Sequence, residues 1–559
     1  MKTSPLAVLI CTWALLSACT TPAVDTAGDA AGDAGPVVTM PAGAVRGVRE
    51  NDVNVFRAIP YALPPTGERR WRPPAPMPRW RGVRAAQKRG VACVQPAMAA
   101  GPYNRGPMAM DEDCLTLDVT APANAHAAPV MVWIHGGTLI WGTGHSASYA
   151  GHGFAARGIV LVSINYRLGV LGYLAHPELS RESADQVSGN YGLLDQVAAL
   201  RWVRENIASF GGDPRNVTIF GESAGALSVE YLLTSPVARG LFDKAIVQSG
   251  YLFTMPELRN ARYEEQSAEA IGAALVTKLG APGIPALRAR GAQELVDAAT
   301  AAGYVPYGTI DGRILPRQIV EAFDHREQAA VPLMAGFTSG EVRGLRFLLP
   351  PLPASPEAYA NDITARYGDL SAEYLRHYPA RDLDQTQLAA ARDVIFGWAA
   401  ERLVRNQGAV GQPAYLFYFD HDYPNAAAAD LTAFHASDVP FVFGTIKQTP
   451  PGWPAIPDTP SEREFAGDML DYWSSFARSG QPSATNGPAW EPFAPNHAYM
   501  HLGETPQPLR DFMPGMYELQ EQIFCRRRLS GVQSWNWRAG STAPVLPEAA
   551  PQCTARPSP

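Results

Sequence analysis

The chain has 559 residues, of which 46% are hydrophobic and 18% are charged, so it contains enough apolar side chains to bury a large core. Its net charge is -7, and its one basic run is residues 526–528, a balance that argues against a nucleic-acid partner. No Cys-x-x-Cys pattern occurs, and no metal site is predicted.

The N-terminus has the pattern of an export signal. Residues 1–18 place one lysine before an apolar run that is too short to span a bilayer. The end of this segment, Leu16-Ser17-Ala18-Cys19, resembles a bacterial lipoprotein signal, which implies cleavage before Cys19, lipidation of that cysteine and a membrane anchor. The alternative is a plain signal peptide cut after Ala18 or near Ala23.

Thr20, the residue after the cysteine, favours the outer membrane, so we expect an exported protein of the cell envelope, with a periplasmic or secreted protein as the alternative. Residues 19–36 contain two Ala-Gly-Asp-Ala units and offer no apolar face. They are predicted to form a flexible tether.

Four cysteines remain after the export segment: Cys93, Cys114, Cys525 and Cys553. An even number in an exported protein favours disulfides. A bond between Cys93 and Cys114 would close a loop of about 20 residues and stabilise the fold by roughly 3 kcal/mol in the chain-entropy estimate. A bond between Cys525 and Cys553 could attach the C-terminal tail to the rest of the chain.

Short apolar runs alternate with helical patterns through the middle of the chain. One helix is predicted at 194–207, where Val197, Leu200, Val203 and Ile207 recur at helical spacing. Such alternation predicts a mostly parallel central sheet flanked by helices, with the functional site at the carboxyl ends of the strands. The predicted strands are 130–134, 159–164, 217–220, 245–247, 332–335 and 415–419.

The segment 217–225 is the strongest functional signal. A short buried strand is followed by Gly221-Glu222-Ser223-Ala224-Gly225, and a helix pattern begins near Ala224. A Gly-x-Ser-x-Gly turn between strand and helix exposes the serine hydroxyl, so Ser223 is a candidate nucleophile. The alternative is an ordinary strand-to-helix turn with a capping serine.

Blocks that accompany this turn resemble the type-B carboxylesterases, the cholinesterase-like branch of the α/β-hydrolases, over nearly all of residues 37 to 530. The resemblance implies an α/β-hydrolase fold with helical insertions around an active-site gorge. It places the catalytic domain at 37–537, before a Pro/Ala-rich tail at 538–559. The matching blocks are 61–67 (YALPPTG), 112–117 (EDCLTL), 135–137 (HGG), 165–169 (NYRLG), 189–196 (GNYGLLDQ), 210–214 (FGGDP) and 248–250 (QSG).

By this resemblance the catalytic triad is Ser223, Glu341 and His435. His435 starts a block that matches the family's His-x-x-Asp-x-Pro-Tyr-x-Phe-Gly, with Phe441 in place of tyrosine. Glu341 ends the segment 336–341, although the family often has glycine directly after the acid and this chain reaches glycine three residues later. The resemblance also matches Cys93 and Cys114 to the family's first disulfide.

The oxyanion hole implied by the resemblance comprises the backbone N-H groups of Gly136, Gly137, Thr138 and Ala224. The family commonly has glycine or alanine where Thr138 stands, and the larger side chain is expected to narrow the acyl side of the pocket. Such donors stabilise the negative charge that develops on the carbonyl oxygen. Glu222 and Asp195 are, by resemblance, structural, and the apolar run 345–349 is either a pocket wall or part of the core.

These observations predict a serine hydrolase that cleaves small-molecule carboxylic esters through an acyl-enzyme and needs no metal or cofactor. The alternative is a catalytically silent binding or adhesion protein on the same fold. The family's cation-binding tryptophan has no counterpart in 94–113, which disfavours choline esters. Short-chain aliphatic or aromatic esters are expected, with long-chain esters or one specialised natural or xenobiotic ester as alternatives.

Overall fold

The structure, a computed structural model, describes residues 35–535 and 538–553. The predicted signal peptide, Cys19 and the tether up to residue 34 lie outside these residues. The described residues from Pro36 onward belong to one compact unit. Within the described ranges, no helix combines the length and the apolar character that crossing a bilayer requires.

The strands follow one another along the chain from residue 37 to residue 510. They are β1 (Val37–Met40), β2 (Gly43–Arg46), β3 (Val48–Glu50), β4 (Val53–Pro60), β5 (Val83–Ala85), β6 (Ala92–Cys93), β7 (Met110–Asp111), β8 (Thr116–Pro122), β9 (Ala128–Ile134), β10 (Val160–Ile164), β11 (Gly212–Glu222), β12 (Lys244–Gln248), β13 (Leu333–Thr338), β14 (Ala414–Phe419), β15 (Ala498–Leu502) and β16 (Pro506–Arg510).

The α-helices lie mostly between the later strands. They are α1 (His152–Ala155), α2 (Gly169–Tyr173), α3 (Pro177–Glu182), α4 (Tyr191–Asn206), α5 (Ala224–Thr234), α6 (Ala268–Lys278), α7 (Ile284–Arg288), α8 (Ala292–Ala301), α9 (Ile319–Asp324), α10 (Pro356–Tyr367), α11 (Ser371–His377), α12 (Leu383–Arg392), α13 (Trp398–Ala409), α14 (Pro424–Ala428), α15 (Val439–Phe443), α16 (Pro460–Ser479) and α17 (Met516–Ser530).

Short 3-10 helices and one π-helical turn complete the regular structure. The π-helical turn, Asp393–Gly397, joins α12 to α13. The 3-10 helices are Gly67–Arg69, Ala147–Tyr149, Ile207–Phe210, Pro236–Ala238, Arg343–Leu348, Gly368–Leu370, Gly540–Thr542 and Pro551–Cys553.

One large sheet organises the fold. Within the described residues it has eleven strands in the order β16-β15-β14-β13-β12-β11-β9-β10-β8-β4-β3. The strands from β15 to β10 in this order run parallel, and antiparallel strands extend both edges. The predicted parallel sheet is therefore confirmed as its central part, and the fold is the predicted α/β-hydrolase fold.

Alternate residues of β9 enter two different cores, one on each face of the sheet. Val130, Val132 and Ile134 pack in the core that contains α4, α5 and α13. Met131 and Trp133 pack in the core that contains α1, α15 and α16. The central strands are buried on both faces for this reason, which explains why they appear in the sequence as continuous apolar runs.

The described part of the C-terminal tail packs against α10. Arg366 donates a hydrogen bond to the carbonyl of Ala543, and the amide of Leu546 donates to the carbonyl of Arg366 at 2.7 Å. A disulfide joins Cys525, in α17, to Cys553. A second disulfide joins Cys93 to Cys114.

Candidate active site

Ser223 lies at the turn between β11 and α5. Its backbone has φ 59° and ψ -123°, a strained conformation for a residue with a side chain. The amide of Ser223 donates a hydrogen bond of 3.0 Å to the carbonyl of Gln248 at the end of β12. The sharp turn between a buried strand and a buried helix therefore matches the predicted geometry of a nucleophile elbow.

The two glycines of the elbow allow backbones to approach closely. A Cβ atom on Gly225 would lie 2.0 Å from the carbonyl oxygen of Ile134 in β9. A Cβ on Gly221 would lie 2.5 Å from the backbone carbon of Gly225. Since a backbone atom cannot move aside as a flexible side chain can, any side chain at either position would displace the turn.

Glu341 and His435 meet beside this elbow. His435 Nδ1 contacts Glu341 Oε2, and Glu341 Oε1 accepts a 2.9 Å hydrogen bond from the amide of Thr338. The two loops that carry the pair are joined by a bridge between Gly340 and Phe434. The Glu341 side chain is 0% exposed, so solvent does not compete for its carboxylate. The hydrogen bond from the amide of Thr338 orients that carboxylate towards the imidazole.

The other imidazole nitrogen lies next to a second carboxylate. His435 Nε2 is 3.0 Å from Glu222 Oε1, although the angles at these atoms do not meet those of a hydrogen bond. No hydrogen bond between Ser223 Oγ and His435 is formed within the described residues. Hydrogen bonds between catalytic groups are often long before substrate binds and shorten in the reacting complex.

The pKa values in this cluster are strongly perturbed. Burial lowers the pKa of His435, but the carboxylates of Glu222 and Glu341 outweigh burial and raise it above its usual value. Burial raises the pKa of Glu222, and Asp438 and Glu341 raise it further against the opposing effect of His435. The surroundings thus favour the imidazolium form, which a histidine must adopt when it accepts a proton from a serine.

Asp438 is bound to Gln248 at the end of β12. Gln248 donates a 2.6 Å hydrogen bond to Asp438 Oδ2 and accepts a 3.1 Å hydrogen bond from the indole of Trp473. Because the carbonyl of Gln248 also receives the amide of Ser223, this network links the histidine loop to the elbow.

The glycine loop after β9 packs directly on the elbow. A Cβ on Gly136 would lie 2.6 Å from the carbonyl oxygen of Glu222, and Gly137 has φ 112°. Thr138 follows with φ 55°, and its exposed side chain donates a hydrogen bond to the carbonyl of Gly137. The amides of Gly137, Thr138 and Ala224 have no hydrogen-bond partner among the described residues, so they are free to donate to a ligand.

The structure also places the residues that the sequence left undecided. Asp195 is buried and accepts hydrogen bonds from the amide and guanidinium of Arg167. The sequence left the run 345–349 as either a pocket wall or part of the core. None of its residues is buried and Phe347 is 76% exposed, while Leu348 and Leu349 are partly buried against the main core. His497 and His501 have a spacing found in metal sites, but each faces its own carboxylate, Asp511 or Asp420, at 3.2 Å.

Comparisons with known proteins agree with this geometry. A profile of the Carboxylesterase family matches residues 34–519. The chain belongs to the carboxylesterase family. As a member it is a carboxylic ester hydrolase, and its substrates are small-molecule esters.

Two curated relatives of this carboxylesterase are each 35% identical to it. One is the fumonisin B1 esterase of Sphingopyxis macrogoltabida, aligned over 82% of this chain and 85% of the relative. The other is the para-nitrobenzyl esterase of Bacillus subtilis (strain 168), aligned over 81% of this chain and 92% of the relative.

Two solved structures are also similar to this carboxylesterase in sequence and in fold. A PNB esterase structure superposes with a TM-score of 0.75 at 32% identity and covers 87% of this chain and 99% of its own. A Geobacillus stearothermophilus carboxylesterase superposes with a TM-score of 0.71 at 33% identity and covers 89% of this chain and 99% of its own.

Two aromatic residues near the predicted triad of this carboxylesterase were not predicted from its sequence. Tyr103 lies beside the histidine, with its ring centroid 6.4 Å from that of His435, and the ring centroid of Phe396 lies 5.4 Å from that of His435. Phe396 is in the π-helical turn, a feature that often marks a functional site. No local motif signals either residue; the one available clue was that Tyr103 lies inside the predicted disulfide loop.

Proposed function

We propose that this carboxylesterase hydrolyses esters with Ser223 as nucleophile, His435 as general base and acid, and Glu341 as the group that orients the imidazole. The observation that carries the proposal is the Glu341–His435 contact beside the strained turn of Ser223. A serine hydroxyl is a weak nucleophile at neutral pH, so His435 removes its proton during attack on the ester carbonyl. The resulting imidazolium then protonates the departing alkoxide.

The negative charge on the carbonyl oxygen is stabilised by backbone N-H groups in this proposal. Ala224 supplies one donor, and Gly136, Gly137 and Thr138 supply the others. The support is that the loop packs on the elbow and that three of these amides lack a partner in the described residues. The acyl-enzyme is then hydrolysed by water with the same groups.

For the substrate we propose a class of esters and not one particular ester. Curated relatives of similar identity are named for quite different esters: fumonisin B1, para-nitrobenzyl esters and cocaine. Family membership therefore does not select one ester, and short-chain aliphatic or aromatic esters are proposed as substrates.

Hydrolysis of a p-nitrophenyl ester series from acetate upward tests the catalytic proposal. The wild-type enzyme is expected to turn over rapidly, and Ser223→Ala is expected to lose this turnover. Ser461→Ala, which alters an exposed serine at the start of α16, serves as the matched control. A fluorescent organophosphonate is expected to label Ser223 alone, and wild-type rates in Ser223→Ala or labelling of another residue would contradict the proposal.

The N-terminal assignments are also proposals: a signal peptide at 1–18, lipidation at Cys19, a tether at 19–36, the catalytic domain at 37–537 and the tail at 538–559. Their support is the sequence pattern, which favours an envelope protein attached to the outer membrane. In cells that process lipoproteins, Cys19→Ala is expected to release active enzyme into the soluble fraction. Retention of that variant in the membrane would contradict the anchor.

A further inference from the structure

The loop closed by the Cys93–Cys114 disulfide, residues 93–114, carries two polar groups for which the described part of the chain supplies no partner. The hydroxyl of Tyr103 and the Nη1 atom of Arg105 are both buried, and neither has a hydrogen-bond partner among the described residues. Asn104, between them, is fixed by hydrogen bonds to the carbonyl of Met98 and to the amide of Gly106. The loop is therefore ordered at the point where it presents these two side chains.

Tyr103 lies beside the histidine of the proposed triad. Its ring approaches that of His435, and its hydroxyl would lie 2.3 Å from a Cβ on Gly344, three residues after Glu341. Burial raises the pKa of Tyr103, and the carboxylates of Glu222 and Glu341 raise it further. The phenol therefore keeps its proton and can donate a hydrogen bond to a substrate.

Arg105 is held by an aromatic residue and not by a carboxylate. Its guanidinium lies 4.9 Å from the ring centroid of Tyr149, and Nη2 donates a hydrogen bond to the hydroxyl of that tyrosine. No carboxylate among the described residues lies within 4.0 Å of it, whereas Arg167 forms a 2.7 Å ion pair with Asp195. This leaves a positive charge with one buried nitrogen, Nη1, that makes no hydrogen bond within the described ranges.

The charge of Arg105 acts on the active site. It lowers the pKa of Glu222, after the larger effects of burial, His435 and neighbouring carboxylates, and it adds to the lowering of the pKa of His135 that burial causes. Arg105 therefore lies within electrostatic reach of both the elbow and the glycine loop. A substrate bound between the elbow and the glycine loop would therefore experience the positive charge of Arg105.

A simpler role for Arg105 would be to neutralise Glu222. The cation that is close to Glu222 is His435, at 3.0 Å, and not Arg105. His435 therefore supplies the positive charge next to Glu222, and Arg105 acts on that carboxylate only from beyond 4.0 Å. A partly buried arginine with an unused donor is costly unless another group supplies the opposite charge, and a ligand can be that group.

We propose that Arg105, together with the hydroxyl of Tyr103, selects esters that carry a carboxylate in the acyl or the alcohol part. This inference rests on the proposed ester hydrolysis at Ser223. The substrate carboxylate would accept a charge-assisted hydrogen bond from Arg105 Nη1, and quaternary ammonium esters would be repelled by the same charge. A hydrogen bond to a charged group changes an equilibrium by roughly 10- to 100-fold.

Two pairs of esters test this selectivity and show whether the recognised carboxylate lies in the acyl part or in the alcohol part of the substrate. For the acyl part, p-nitrophenyl hemisuccinate is compared with neutral p-nitrophenyl 4-methylpentanoate. For the alcohol part, 4-acetoxybenzoate is compared with 4-acetoxybenzamide. In each pair the ratio of kcat/KM for the anionic ester to that for the neutral ester is measured after subtraction of the non-enzymatic rate. A ratio taken on one enzyme preparation is independent of how much of it is folded.

Arg105→Gln is expected to lower this ratio by about 10- to 100-fold in at least one pair, and Arg105→Lys is expected to keep part of it. Tyr103→Phe is expected to lower the ratio less, since it removes an uncharged donor. Arg215→Gln is the matched control, because that side chain is 89% exposed at the start of β11, far along the strand from Ser223.

Equal ratios for wild type and Arg105→Gln in both pairs would overturn the inference, as would an equal fall in Arg215→Gln. These outcomes differ from a failure of the proposed function. If the wild-type enzyme cleaved none of the four esters, ester hydrolysis at Ser223 would itself be contradicted. If it cleaved the neutral esters and Arg105→Gln did not change the ratio, the selectivity alone would fail.

Discussion

Glu230 is a carboxyl group buried in the core beside the proposed active site. It lies in α5, two turns after Ser223, in a helix whose residues are all buried. Neither of its side-chain oxygens has a hydrogen-bond partner in the described part of the chain, and Oε1 would lie 2.3 Å from a Cβ on Gly250. Burial raises its pKa well above the ordinary value of 4.5. The informative changes are Glu230→Gln and Glu230→Met.

The direction of the pH effect follows from proton binding. A carboxyl with a raised pKa in the folded state holds its proton there, whereas the unfolded chain releases it above pH 4.5. The stability that this group contributes is therefore fully present below pH 4.5 and is lost as the pH rises towards the folded pKa. The loss is about 1.4 kcal/mol for each pH unit over which the folded carboxyl stays protonated.

These values convert into a measurable shift of the melting temperature. From pH 5 to pH 8 the loss reaches about 4 kcal/mol if Glu230 stays protonated throughout. An unfolding entropy of about 2.1 cal/mol/K per residue over roughly 520 residues corresponds to about 1 kcal/mol per degree. The melting temperature of the wild type should thus fall by about 4 °C more than that of Glu230→Gln between these pH values.

Differential scanning calorimetry at one scan rate measures this difference. Glu230→Met is expected to melt above the wild type at pH 8. It replaces a buried carboxyl, which has no hydrogen-bond partner among the described residues, with an apolar side chain of similar size. Glu205→Gln, at an exposed position of α4, is the control and should follow the wild type at both pH values. An unchanged difference between wild type and Glu230→Gln from pH 5 to pH 8 would refute the reasoning.

Three further changes test the site and the loop that covers it. Glu222→Gln removes a carboxylate that raises the pKa of His435, so the acidic limb of the kcat/KM profile should move to lower pH by about one unit; an unmoved limb would contradict this. Gly137→Ala places a Cβ 2.2 Å from the carbonyl oxygen four residues on, and kcat for p-nitrophenyl acetate should fall roughly a hundredfold. Replacing Cys93 and Cys114 with serine opens a loop of sequence separation 21, and calorimetry should show a loss of about 3 kcal/mol, whereas an unchanged melting temperature would disprove the stabilisation.

The sequence predicted those features that depend on neighbouring residues. The elbow is one of them, because an apolar strand, two glycines that flank a serine and a helical pattern all lie within 217–234. The central strands are another, since burial on both faces leaves continuous apolar runs. The meeting of Glu341 with His435 was predicted by resemblance to a family and not from the spacing of the two residues.

Tertiary structure alone decided which side chains surround this centre. In the sequence Glu222 is one residue of the elbow motif. In the structure its carboxylate lies 3.0 Å from His435 Nε2, because the end of β11 and the loop that carries His435 meet at the same edge of the sheet. Tyr103 and Arg105 lie in a part of the disulfide loop that has neither helix nor strand. Only the folded chain shows that they lie next to His435 and Tyr149 and that each has a donor without a partner among the described residues.

The burial of Glu230, which affects stability, could not be predicted from the sequence either. In the sequence it is one polar residue in an apolar helix, where it could equally face solvent. The packing of α5 against β11 and β12 as well as α4 and α9 buries every face of that helix. Local sequence thus determined the central strands and the elbow, because their residue patterns lie within short segments of the chain. The charges around the nucleophile were decided by the tertiary structure, because distant segments set both their burial and their partners.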